Sequence, residues 1–180
     1  MKAAIKRWYI IKAAVLDGDA EKLAELMRQN PGFDVNEMLR GDEVTLLHHA
    51  CRENRRSAVI PLLLAHPDID VNVKNKDGNT PLHYACGGFP SCVRELLKDS
   101  RVKLNELGIY GRTPLWFAAY FDYLKVIKWW IASGREMDLW KPGDVDKTDA
   151  IGAAEGIWQH RSGGPAREIQ EWCRPDQACD

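Results

Sequence analysis

Thr80-Pro81-Leu82-His83-Tyr84-Ala85-Cys86 decides how this chain folds, because the phrase recurs at a fixed distance. Thr45-Leu46-Leu47-His48-His49-Ala50-Cys51 stands 35 residues earlier, and Thr113-Pro114-Leu115-Trp116-Phe117-Ala118-Ala119 stands 33 residues later. A decayed copy begins at Thr148, again 35 residues on. Each threonine is suited to precede a helix, where its hydroxyl accepts a bond from a free backbone NH. Pro81 and Pro114 fit the first helical position, where the missing donor is no loss. Small pairs such as Ala50-Cys51, Ala85-Cys86 and Ala118-Ala119 let successive helices approach closely.

A second apolar helix pattern follows each copy: Val59-Ile60-Pro61-Leu62-Leu63-Leu64, then Val93 with Leu96-Leu97, then Val126-Ile127-Lys128-Trp129-Trp130-Ile131. Leu62, Leu96 and Trp130 are expected to fill the space between layers. A closing phrase returns as Asp70-Val71-Asn72, Lys103-Leu104-Asn105 and Glu136-Met137-Asp138. Upstream, Leu23, Leu26, Met27 and Asp34-Val35-Asn36 repeat the second half of the unit behind an opening helix at about 3–16. The units run at about 1–36, 37–72, 73–105, 106–138 and, in part, 139–156. Asn75-Lys76-Asp77-Gly78-Asn79 supplies the turn residues of an exposed hairpin. No unit can bury its apolar face alone, so stability comes from stacking.

Period and phrase together resemble the ankyrin repeat, a 33-residue unit carrying Thr-Pro-Leu-His-x-Ala. The resemblance covers residues 5–156 and implies an all-α solenoid of stacked helix-turn-helix units with β-hairpin loops, forming one domain over 1–156. It also implies a non-enzymatic scaffold that binds a partner protein through the hairpin tips and the exposed side of the first helices. Carried over residue by residue, the variable positions of that face are Gly41, Asp42, Val44, Arg52 and Glu53, then Lys76, Asp77, Asn79, Tyr84 and Gly87. The next repeat adds Ile109, Tyr110, Arg112, Phe117, Tyr120 and Phe121, with Trp140 on the following hairpin. Tyr110, Arg112, Tyr120, Phe121 and Trp140, joined by Arg52 and Tyr84, are the residue types that dominate protein interface hot spots. For Phe121 and Trp140 the other reading is packing between layers. The other class of function is a structural stretch of a larger multidomain protein with no partner of its own.

This chain departs from the pattern in four places. Leu46 replaces the expected proline, and Pro61 inside a second helix is expected to kink it. Gly87-Gly88 at a helix end makes the third repeat the expected softest internal layer. Trp116 replaces the histidine and so loses its polar contact. Asn36, Asn72 and Asn105 match an asparagine that is hydroxylated in some ankyrin proteins; structurally they are expected to close the turn.

Composition agrees with an ordinary globular chain. Among 180 residues, 25 basic residues face 26 acidic ones, and the two halves carry 12 and 12, then 13 and 14. No basic pole exists to hold a phosphate backbone, which argues against nucleic acid. No run of about 18 apolar residues offers a membrane span, and the amino terminus does not read as a secretory signal. Five cysteines without CxxC spacing suit a reducing, intracellular compartment. The expected state is a monomer without a cofactor.

His48-His49-x-Cys51, His83, Cys86 and Cys92 could suggest a metal site. His48 and His83 occupy one position of successive repeats, about 10 Å apart, too far to share a zinc ion. They read as satisfied core histidines. No phosphate loop, HExxH or nucleophile elbow is present. Arg52, Arg55, Arg56, Lys74 and Lys76 form a basic cluster, opposed by Glu53 and Asp77, that reads either as a solvated face or as a seat for an acidic peptide.

After Ala154 the repeat pattern collapses. Read one nucleotide later, the codons from Trp158 onward can encode a plausible ankyrin second helix. Residues 157–180 are therefore either a frame-shifted segment or a divergent tail.

Overall fold

Backbone at Thr45, Thr80 and Thr113 is extended and turns helical at the next residue. The structure, a computed structural model, describes residues 2–38, 43–135, 150 and 152. The partial fifth unit, apart from 150 and 152, and the segment 157–180 lie outside the described residues.

Helices follow in pairs: α1 (Lys2–Asp17) with α2 (Ala20–Gln29), and α3 (Leu46–Ala50) with α4 (Ile60–Leu64). Then come α5 (Pro81–Cys86) with α6 (Pro90–Leu97), and α7 (Pro114–Tyr120) with α8 (Leu124–Ala132). The first helices α1, α3, α5 and α7 pack in one row, the second helices α2, α4, α6 and α8 in another, and each pair packs together. This is the stacking expected from the repeat. Leu46, Leu82 and Leu115 of the phrase are buried, as are Ala50, Ala85 and Ala118, whose small side chains set the close approach of the first row. Ala150 is helical and buried against the same core.

The histidine of the phrase joins one repeat to the next. His48 Nε2 donates to the Asn79 carbonyl at 3.0 Å, and His83 Nε2 donates to the Arg112 carbonyl at 3.1 Å. A carbonyl only accepts, so each ring carries its proton on Nε2 and leaves Nδ1 as an acceptor. Nδ1 of His48 accepts from the amide and hydroxyl of Thr45 at 3.2 and 2.9 Å, and Nδ1 of His83 accepts from Thr80 at 3.0 and 2.9 Å. Both nitrogens of both rings are used inside the fold. Burial pushes each imidazole down to about 4. An indole has no ring acceptor, so at Trp116 the threonine cap works in the simpler way, with Thr113 Oγ1 accepting from the Trp116 amide at 3.2 Å.

The closing asparagines also span repeats, which goes beyond closing a turn. Asn36 donates to the Asp68 carbonyl and accepts from the Asp70 amide, at 2.7 and 2.9 Å. Asn72 repeats this with the Arg101 carbonyl and the Lys103 amide, at 2.9 and 2.8 Å.

The hairpin loops are tighter than the expected β-hairpins, and no strand forms among the described residues. The loop at 75–79 is closed by the Asn75 and Gly78 amides. The loop at 108–112 is closed by the Gly108 and Gly111 amides. Four- or five-residue excursions closed this way leave no room for a ladder.

Pro61 acts differently from the expected kink. The segment Asn54–Val59 is a 3-10 helix, and α4 begins at Ile60 with Pro61 in its first turn. The Ile60 amide bonds Ser57 O, three residues back. The proline therefore starts a helix, and Val59, Ile60 and Leu63 take the places of Cys92, Val93 and Leu96 and of Val126, Ile127 and Trp130. Leu63 becomes fully buried, whereas Leu62 is only partly so; Leu96 and Trp130 are buried as expected.

Candidate functional site

The face formed by the hairpins and the first helices carries most of the expected partner-binding residues. Tyr110 stands at the tip of the 108–112 turn with φ +58°, beside Gly111 at φ +68°. In the preceding repeat only the glycine of the turn, Gly78 at φ +79°, is left-handed, and Asp77, at the place of Tyr110, is not. A left-handed conformation costs an ordinary side chain about 1 kcal/mol, so a tyrosine held there is strained. Strain of this kind concentrates at functional positions. Tyr110 is 55% exposed.

Tyr120 and Phe121, at the end of α7, are 41% and 53% exposed. Tyr120 stacks on the buried Trp116 ring at 4.6 Å and meets Phe121 edge-on at 5.0 Å. Phe121 in turn stacks near Tyr123 at 5.9 Å. Phe121 therefore belongs to the surface and not to the space between layers. The Arg112 guanidinium lies over Trp116 at 3.8 Å and over Tyr110 at 5.3 Å, so it ties the hairpin tip to the helix. Tyr110, Arg112, Tyr120 and Phe121 form one continuous assembly. Trp140, Gly41 and Asp42 lie outside the described residues.

Arg52 and Tyr84 form a second assembly, two repeats and one repeat upstream respectively. The Arg52 guanidinium lies over the Tyr84 ring at 4.6 Å. The Tyr84 hydroxyl accepts from Asn75 Nδ2 at 2.9 Å, which fixes the ring. Arg52, Gly87 and Tyr120 each lie seven residues after the threonine of their repeat. The glycine opens the floor between the two assemblies. Gly88, at φ +111°, turns the chain beneath Tyr123, whose ring would lie 3.0 Å from an added Cβ. A groove of about 670 Å³ lies on the Arg52–Tyr84 side of this floor, lined by residues that include His49, Arg52, Arg56, Tyr84 and Phe89.

The basic cluster divides once its environment is visible. Arg56 is buried and donates to the Leu16 and His49 carbonyls and to Glu53, at 2.9, 3.1 and 2.5 Å. Arg55 pairs with Glu53, and Lys74 pairs with Glu106. Arg52 is exposed and its side chain makes no hydrogen bond or ion pair among the described residues. Sequence spacing could not separate Arg52 from Arg56.

Sequence spacing places Trp129 with Trp130 in the core and does not point to Lys12. Trp129 is 41% exposed on the opposite side of the stack, with Arg94 over its ring at 5.4 Å, so only Trp130 of the pair is core. Lys12 on α1 lies over Trp8 at 5.0 Å. Cys51, Cys86 and Cys92 are buried thiols, and burial pushes Cys92 up to about 12 and the other two well above their ordinary value. They stay protonated and act as small core residues. No described helix is long and apolar enough to cross a membrane.

Rows of paired helices, linked by histidine and asparagine and presenting turns along one edge, define a helical-repeat scaffold. The family description "Ankyrin repeats (3 copies)" matches residues 10–106 and 69–140, and the chain belongs to the ankyrin-repeat family. Such domains are non-catalytic modules that generally serve protein–protein interaction. Among curated proteins the chain is similar to SMC5-SMC6 complex localization factor protein 1 of Bos taurus, 49% identical over 78 residues, 43% of this chain and 7% of that protein. It is similar to human transient receptor potential cation channel subfamily A member 1, 36% identical over 97 residues, 52% of this chain and 8% of that one. Target of rapamycin complex 2 subunit AVO2 of Saccharomyces cerevisiae is 27% identical over 131 residues, 72% of this chain and 30% of that protein. The chain thus spans less than a tenth of the length of the first two.

Proposed function

We propose that this chain is a non-enzymatic scaffold that binds a partner protein through its hairpin and first-helix face, with Tyr110, Arg112, Tyr120 and Phe121 as the anchor. The observation that carries this reading is the run of three exposed aromatic side chains, Tyr110, Tyr120 and Phe121, fixed by stacking and by a strained turn. Rigid aromatic groups lose little entropy on docking and bury large area. Arg52 and Tyr84 extend the same face. The bovine relative is by name a localization factor for a complex, which agrees in class with a recruiting scaffold. The chain works inside the cell as a monomer, without a cofactor, in a domain over 1–156.

Tyr110→Gly separates binding from stability. Glycine accepts the left-handed turn, so the urea midpoint should hold or rise slightly, whereas affinity for a partner captured on the full chain should fall about tenfold. Tyr120→Ala should weaken binding similarly. Unchanged affinity in both folded variants overturns this assignment.

A second reading is favoured by the small share of its relatives that the chain spans. On this reading it is a stretch of a longer multidomain protein and has no partner of its own. A coding region that continues past residue 180, with no partner retained by the isolated chain, would decide for it.

A further inference from the structure

Along the hairpin and first-helix face the side chains change in character from repeat to repeat. Four residues after the threonine stand His49, Tyr84 and Phe117; seven residues after it stand Arg52, Gly87 and Tyr120. The amino-terminal end is therefore cationic, the middle is open, and the carboxy-terminal end is aromatic.

At the cationic end, Arg52 and Lys12 are uncompensated. Neither side chain has a hydrogen bond or ion pair among the described residues, and each lies over one aromatic ring. Glu53 lines the groove at this end, but its carboxylate is engaged by Arg55 and Arg56. His49 reports the resulting field. Burial first, then Lys12, Arg52 and Arg56, hold its imidazole down to about 4. Burial and Arg52 likewise lower the Lys12 ammonium. A stacked guanidinium keeps its edge free for two parallel bonds to a carboxylate.

We infer that the hairpin and first-helix face selects an extended partner segment carrying a carboxylate side chain, seated on Arg52 and Lys12, about six residues from an apolar or aromatic anchor seated on Tyr110, Tyr120 and Phe121. This rests on the partner-binding reading above and adds the partner's chemistry and spacing. Arg52 and Tyr120 lie two repeats apart, roughly 20 Å at about 10 Å per helix layer. An extended chain covers that distance in about six residues at roughly 3.3 Å each. One free guanidinium and one ammonium match a monoanion better than a phosphate, because the Arg56 nitrogens are already committed to Leu16, His49 and Glu53. Two isolated cations on a chain of net charge -1 also make a poor track for a nucleic-acid backbone.

The test is selection from a displayed library of random twelve-residue peptides on the full 180-residue chain. The selection is repeated on the K12E/R52E double variant and on the Y110G/Y120A double variant. Enriched peptides should carry Asp or Glu about six positions from an apolar residue. On K12E/R52E they should bind at least tenfold more weakly, and selection there should turn to Lys and Arg. A synthetic winner should also lose affinity steeply with salt. Enrichment of apolar peptides without acidic bias, lost on Y110G/Y120A but unmoved by K12E/R52E, overturns the inference and keeps the partner-binding reading. Peptides unmoved by either double variant, or no enrichment on the folded chain, overturn both. Tighter binding of a phosphopeptide or an oligouridylate than of the acidic winner, lost on K12E/R52E, reassigns the cationic end and overturns the inference.

Discussion

Lowering the pH from 6.5 to 4 is expected to remove several kcal/mol from the stability of the stack, chiefly through His48 and His83, with the less buried His49 acting in the same direction. His48 and His83 are both buried and held at about 4, against 6.5 for a free imidazole. Burial is the largest cause in each. Above pH 6.5 the folded and unfolded chains both carry neutral imidazoles, and the full stability is present. As the pH falls toward 4 the unfolded chain takes up protons that the folded chain refuses, so unfolding becomes easier. At 1.36 kcal/mol per pH unit the shift amounts to about 3 kcal/mol for each ring. Protonation also removes the Nδ1 acceptor from Thr45 and Thr80, so the charged form cannot keep the capping geometry. The carboxylates of Asp99 and Glu106, held low chiefly by Arg101 and Lys74, have the same sign but come into play near and below their ordinary range, at the acidic end of this window. Urea titrations at pH 7, 5.5 and 4.5 should show the loss. H83Q should start less stable and fall by about 3 kcal/mol less; an undiminished fall in H83Q would remove this histidine from the account.

The repeat phrase made the helix pairs legible because its chemistry is local. A threonine cap, a proline at the first helical position and a small pair act within one turn. What the sequence did not reveal depends on depth and phase. Arg52 and Arg56 differ in role because the 3-10 segment at Asn54–Val59 turns one arginine inward and leaves the other outside. Leu63 is buried in place of Leu62 because it stands three residues after Ile60, as Leu96 stands after Val93 and Trp130 after Ile127. Tyr110 could be placed on a hairpin by register, but its left-handed backbone could not, because Asp77, at the same place one repeat earlier, is not left-handed. Lys12 could not be found, because the first unit lacks the threonine phrase that sets the register elsewhere. Histidine was read as a satisfied core residue, correctly, but its partner is a carbonyl of the next repeat, and contacts across repeats have no sequence spacing of their own.

That contact explains why Gly108→Ala should be the most damaging small change in the hairpin, at about 3 kcal/mol. Gly108 has φ −101°, which any residue adopts, so its need for glycine is one of space. A Cβ there would overlap Asn79 Oδ1 and come within 2.6 Å of His83 Nε2. Asn79 Oδ1 accepts from the Ile109 amide at 3.0 Å, and His83 Nε2 donates to the Arg112 carbonyl. The methyl group would displace both links between the third and fourth repeats at once. Overpacking costs about 1–3 kcal/mol, and a buried donor left without its acceptor adds about 1–3 kcal/mol more. Gly32→Ala is the control, since an added Cβ meets nothing within 4 Å and φ is not left-handed; its urea midpoint should barely move. The two hairpin variants also separate two ways of losing a partner. Tyr110→Gly removes an anchor from an intact turn, whereas Gly108→Ala shifts the turn that carries the anchor, so stability and affinity should fall together. If Gly108→Ala keeps the wild-type midpoint, His83 and Asn79 have room to retreat, and the hairpin is held by Arg112 on Trp116 instead.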